Sequence, residues 1–159
     1  MIKNLFLNHK GKSTEAKQAH GTYSKAHHIG VLYNADEFET SLINDLIEQL
    51  KNDQKDVAKL GFSETLSEEP LLFSKKDISG TGTIKNDNMN FFINQSFDFL
   101  ISLDTSQNVN FKYILALSKA VCKVGIEAPQ YHEHLLLSLK KSESDIQTIN
   151  SVVHYLKMI

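Results

Sequence analysis

Asp104-Thr105-Ser106-Gln107 places a carboxylate and two hydroxyls directly after the apolar run 97–103. If that run is a strand, these side chains stand at its carboxyl end, where open α/β sheets bind their ligands. Asp104 could then serve as a general acid or base while Thr105 or Ser106 holds a substrate. The same residue types also suit the start of a helix, which is their commoner role. His132-Glu133-His134 sets two imidazoles on one side of an extended segment. Such a pair binds zinc only if a third ligand converges, and it is not HExxH, so no metal is expected. Gly80-Thr81-Gly82 supplies glycines but fits neither GxGxxG after a first strand nor GxxxxGK[ST]. The turn Asn34-Ala35-Asp36-Glu37 would instead put acidic groups where a phosphate should sit. A nucleotide site of the usual kind is therefore disfavoured, and no cofactor is called for. Cys122 is the only cysteine, so neither an intrachain disulfide nor a CxxC pair can form, and it reads as a small core residue in a reducing compartment.

Positive charge forms the other candidate. Residues 1–28 carry Lys3, Lys10, Lys12, Lys17 and Lys25 against Glu15 alone, a net +4, while residues 29–159 carry 12 lysines and 18 acids, a net −6, which together recover the chain's −2. A basic arm ahead of an acidic body suits contact with nucleic acid or an anionic surface, through counterion release and attraction to phosphate. His27 and His28 could join that patch when protonated, although as neutral side chains they are expected to be solvated. All 17 basic residues are Lys and none is Arg, which removes any site that needs a planar bidentate fork. Phosphate could still be met by lysines, backbone amides and helix N-termini.

The elements that must position these residues follow from periodicity. His28-Ile29-Gly30-Val31-Leu32-Tyr33 reads as a buried strand. Phe38, Leu42, Ile43, Leu46, Ile47 and Leu50 form one face of a helix. Residues 56–62 and 71–73 read as strands separated by a polar linker, and 74–90 as a loop that passes into a short helix from Asp87. The nearly continuous apolar run 97–103 has the pattern of a strand covered on both faces. A helix over 108–121, a strand at 122–126, an irregular link at 127–133 and a strand at 135–139 follow. Ser142 and Asp145 resemble a capping box that opens a last helix with Ile146, Ile149, Val152, Val153 and Leu156 on its apolar face. Alternating strands and helices give an α/β class: a single Rossmann-like, mostly parallel sheet with helices on both faces. The expected division is a basic arm over 1–27 and an α/β domain over 28–159. With 41% hydrophobic residues, and only Leu5-Phe6-Leu7 as an apolar run near the N-terminus, the chain shows neither a signal peptide nor a membrane span. A cytoplasmic location is expected.

The blocks Phe73-Ser74-Lys75-Lys76-Asp77, Gly82-Thr83-Ile84-Lys85-Asn86, Phe97-Asp98-Phe99-Leu100-Ile101-Ser102, Ala116-Leu117-Ser118-Lys119-Ala120 and Lys123-Val124-Gly125, with the closing Tyr155-Leu156-Lys157, carry a resemblance. In their order and spacing the chain resembles, over essentially its whole length, an uncharacterised family of short bacterial α/β proteins known only as a domain of unknown function. That resemblance implies a lysine-rich segment ahead of the first strand. It departs at Ser79-Gly80-Thr81, where the family often carries an aromatic. The strand and helix around 97–125 are also distantly similar to the N-terminal half of two-domain sugar transferases of the heptosyltransferase type, whose donor site lies mainly in the half missing here. The expected function is a non-enzymatic module that docks on RNA, as a ribosome-associated or ribosomal protein, through Lys3, Lys10, Lys12, Lys17 and Lys25. Lys75, Lys76 and Lys85 are possible auxiliaries. The alternative is a small-ligand-binding or degenerate transferase-like domain with its site at Asp104, Thr105 and Ser106.

Overall fold

The computed structural model describes residues 22–65, 71–106, 108–126, 135 and 137–159. Six strands, β1 (His28–Asn34), β2 (Asp56–Phe62), β3 (Leu72–Phe73), β4 (Phe99–Leu103), β5 (Cys122–Ile126) and β6 (Leu137–Leu139), form one sheet. The order is β3-β2-β1-β4-β5-β6, and every pairing is parallel. Four α-helices occur among the described residues: α1 (Thr40–Asn52), α2 (Asp87–Asn94), α3 (Val109–Leu117) and α4 (Asp145–Leu156).

Right-handed crossovers explain which face each helix covers. From β1 the chain steps outward to β2, with α1 packed on the face that carries Ile29, Val31 and Tyr33. After β3 it crosses to β4 and moves the other way, so α2 and α3 cover the opposite face, with Leu32, Leu60 and Leu100. α4 then returns to the first face through Ile149, Val152 and Val153. Both faces are buried, as continuous apolar runs in the strands require. Gly30 marks one close approach, since a Cβ there would lie 2.7 Å from the Phe97 ring. Gly82, at φ +84°, makes the tight turn between Ile78 and Ile84 and is held by the Tyr113 hydroxyl, which donates to its carbonyl.

Three helix boundaries differ from the periodicity. α1 begins at Thr40, so Phe38 lies in the turn before it, its amide bonded to the Asn34 carbonyl. α3 stops at Leu117 rather than near Val121, because Ser118 turns extended and the Val121 amide is already committed to the Phe97 carbonyl beside β4. α4 is capped by Ser144, whose hydroxyl accepts from the Gln147 amide, and not by Ser142, whose own amide donates to the Thr148 hydroxyl. Apolar spacing sets the face of a helix, but the last extended residue sets its end. The 127–133 link and the His132-Glu133-His134 pair lie outside the described residues.

Candidate functional site at the strand ends

β1 and β4 are the strands at which the direction of winding reverses, so the crevice between their carboxyl ends is this fold's usual ligand position. Asn34, the last residue of β1, and Asp104, the first after β4, meet there. The Asn34 amide donates to Asp104 Oδ1 at 2.9 Å, to Ser106 Oγ at 3.2 Å and to Glu37 Oε1 at 3.3 Å. Asp104 Oδ1 also accepts from the Ser106 hydroxyl at 2.6 Å and the Ser106 amide at 3.2 Å, while Oδ2 accepts from the Asn108 amide at 3.3 Å. Asp104 is only 1% exposed.

The other residues named from the sequence are engaged in the same way. Thr105 donates its hydroxyl to Glu37 Oε2 at 2.5 Å and its amide to both Glu37 oxygens. Asp36 turns toward β2 and accepts from the Ser63 hydroxyl at 2.6 Å, the Glu64 amide at 2.8 Å and the Thr65 hydroxyl at 3.0 Å. Asp104 does not cap α3; Asn108 does, accepting from the Asn110 amide, and Asp104 holds the turn that leads into it. The structure thus brings Asp104, Thr105 and Ser106 together, but each satisfies the others or the β1 turn.

The electrostatics follow from this crowding. Burial pushes the Glu37 carboxyl above its ordinary range, the Thr105 hydroxyl offsets part of that rise, and the charge of Asp104 adds to it. At Asp36 burial pushes the same way but is outweighed by the donors from Ser63, Glu64 and Thr65, so that carboxyl is lowered. A raised carboxyl beside a second carboxylate is the raw material of acid–base chemistry. Here the Glu37 and Asp104 oxygens already accept from the protein's own donors.

Glu37 was missed as a site residue, although its position three residues after Asn34, in a turn closed by the Phe38 amide on the Asn34 carbonyl, points it back over the strand end. The lysines are divided. Lys25 sits exposed in a short 3-10 turn at Tyr23–Lys25, while Lys3, Lys10, Lys12 and Lys17 lie outside the described residues. Lys75 is paired with Glu64 at 3.8 Å, and Lys76 and Lys85 are exposed. Whereas His27 is exposed, His28 is half-buried and bonded instead of freely solvated. Its ring stacks on Phe97, with Nδ1 3.0 Å from Asp56 and Nε2 2.6 Å from Gln95, because it begins a central strand instead of ending an arm. Cys122 is buried, which pushes its thiol up to about 12 and leaves it a core residue.

Among the described residues no group of three or more His, Cys, Asp or Glu could hold a metal, and no helix is long and apolar enough to cross a membrane. The parallel six-stranded sheet with helices on both faces defines a Rossmann-like α/β protein. Residues 2–159 match the model of a family of unknown function, DUF6913, and the chain belongs to that family. No curated protein and no solved structure matches the chain.

Proposed function

We propose that this protein is a non-enzymatic RNA-docking module, associated with or part of a ribosomal particle, whose contact residues are Lys3, Lys10, Lys12, Lys17 and Lys25. The supporting observation is the way charge is distributed about the fold. At the strand ends where a Rossmann-like sheet takes a phosphate-bearing ligand, Asn34, Glu37, Asp104 and Thr105 bond to one another, two of them carboxylates. The segment of net positive charge is residues 1–28, at +4 against −6 for the rest of the chain. A polyanion is therefore repelled from the strand ends and attracted to the arm. The location that goes with this reading is the cytoplasm of a bacterium.

The test is a titration of full-length protein against ribosomal RNA over a range of salt concentrations, compared with Lys10→Gln/Lys12→Gln/Lys17→Gln. Each lost phosphate contact should flatten the logarithmic salt slope by roughly 0.7–0.9. The triple variant should therefore bind more weakly, with a slope shallower by about 2–3. Equal affinity and equal slope would remove the proposal. A ligand site at Asp104, Thr105 and Ser106 would instead make Asp104→Asn the variant that loses binding.

A further inference from the structure

β2 is paired along its whole length with β1, but on its outer side β3 reaches only Gly61 and Phe62. The Asp56 amide points inward to the His27 carbonyl, so the Lys55 carbonyl of the same trans peptide points outward. The Gly61 amide points outward to the Leu71 carbonyl, and backbone direction alternates along a strand. Val57 and Lys59 therefore turn both N–H and C=O outward, and no strand among the described residues meets them. Leu71, one residue before the partner of Gly61, closes this edge just above Lys59. The free stretch is thus 55–59, with Val57 at its centre. It floors a groove of about 360 Å³ between Ile47, Glu48 and Lys51 of α1 and Phe91 and Phe92 of α2. Leu71 and Phe91, at 39% and 71% exposed, stand on its rim.

Whatever covers this edge must fit a short stretch that is closed at one end, and the stretch fits itself. Turned about a two-fold axis through Val57, residues 55–59 of two copies lie antiparallel within the free length of each, and neither strand runs into the other copy's Leu71. The two Val57 residues then exchange both backbone bonds, and each Lys59 amide donates to the opposite Lys55 carbonyl. The Lys55 amide needs no new partner, because it already donates to the Leu50 carbonyl. Charge allows the approach. With the Lys55 ammonium buried on the Tyr23 and Ala26 carbonyls, Glu48 and Asp56 balance Lys51 and Lys59, so the edge has no net charge to repel a copy or to draw a polyanion. We infer that β2 pairs with β2 of a second copy of this chain, so that two sheets become one across a two-fold axis at Val57. The exposed Leu71 and Phe91 of both copies come to the seam, and an edge open to stray strands is removed.

The test is sedimentation of the full-length chain between about 1 µM and 1 mM, the range in which a small interface associates, with amide exchange read residue by residue. RNA is left out, so that the result stands apart from the RNA reading. The unaltered protein should form a dimer as concentration rises. Its Val57 and Lys59 amides should exchange roughly tenfold slower in the dimer than in the monomer, while the inward Ala58 and Leu60 amides keep their rates. Val57→Pro removes an N–H that β1 does not use and should stay monomeric throughout. If circular dichroism shows that this variant has lost its fold, Phe91→Asp, which alters an exposed side chain, decides in its place and should weaken the dimer roughly tenfold or more. An unaltered protein that is monomeric at every concentration would overturn the proposal. Val57 and Lys59 amides equally protected in the monomer would overturn it by assigning the edge to the same chain. A dimer that the deciding variant leaves unchanged would overturn it by placing the contact elsewhere.

Discussion

The two ends of the sheet use similar polar groups for different ends. At the carboxyl ends, Asn34 and Asp104 join strands whose residues are 70 apart in the chain, and the Asn34 amide, the Ser106 hydroxyl and the Ser106 amide all donate to Asp104. At the amino ends, Lys55, 9% exposed, donates to the Tyr23 and Ala26 carbonyls at 2.7 Å each, and Asp98 accepts from the His27 and His28 amides. Tyr23 adds a bond from its hydroxyl to Asp53, and its amide reaches the Ile159 carbonyl. The first network ties strand to strand. The second ties residues 22–28 to the sheet. The contrast teaches that one Rossmann-like sheet can spend the polar groups at its carboxyl ends on joining strands and those at its amino ends on docking the residues that precede β1.

Breaking the lower network should have the largest effect. Lys55→Ala removes the ammonium that bridges the Tyr23 and Ala26 carbonyls, of which Tyr23 keeps the Ala26 amide, and should cost about 2 kcal/mol, read as a loss of urea midpoint, with residues 22–26 the first to lose exchange protection. The upper network comes next. Asn34→Leu keeps the volume but removes the amide between Glu37 and Asp104, and should cost about 2 kcal/mol while driving the Glu37 carboxyl further up.

Acid and base should separate the two ends. Glu37 binds its proton more tightly folded than unfolded, so its contribution is fully present below the ordinary value of 4.5 and fades as pH rises through the raised value. Asp98 is the reverse: burial is outweighed by the His28 and His27 amides, its carboxyl is lowered, and its contribution fades as pH falls below the ordinary 3.8. Thermal melts across that range should show Glu37→Gln flattening the fall above pH 4.5 and Asp98→Asn flattening the fall below 3.8. If both variants altered the same side of the profile, the division between the ends would be lost. The smallest effect belongs to Lys157→Ala, which removes a partly exposed ion pair to Asp53 at 3.0 Å and should change stability by less than about 1 kcal/mol.

The α/β class, the parallel sheet and the bounds of β2 and β5 were legible because apolar runs bounded by polar turns record burial on both faces, while β1 runs one residue further, to Asn34. What was less legible concerns termini and partners. Ser144 and Asn108 cap helices where Ser142 and Asp104 fit the pattern as well, since capping depends on the turn of the preceding residue. The acidic character of the strand ends could be read from Asn34-Ala35-Asp36-Glu37, but the pairing of Glu37 with Thr105 needed β1 and β4 to be neighbours. Lys55 carried no signal of burial, because a lysine becomes buried only where carbonyls such as those of Tyr23 and Ala26 converge on it.

The central claim is that this module meets RNA through its lysines, and sedimentation of native lysate through sucrose at low and high salt tests it most directly. The account predicts co-migration with ribosomal particles at low salt, released at high salt and abolished by Lys10→Gln/Lys12→Gln/Lys17→Gln. Migration as free protein at both salt concentrations would contradict it.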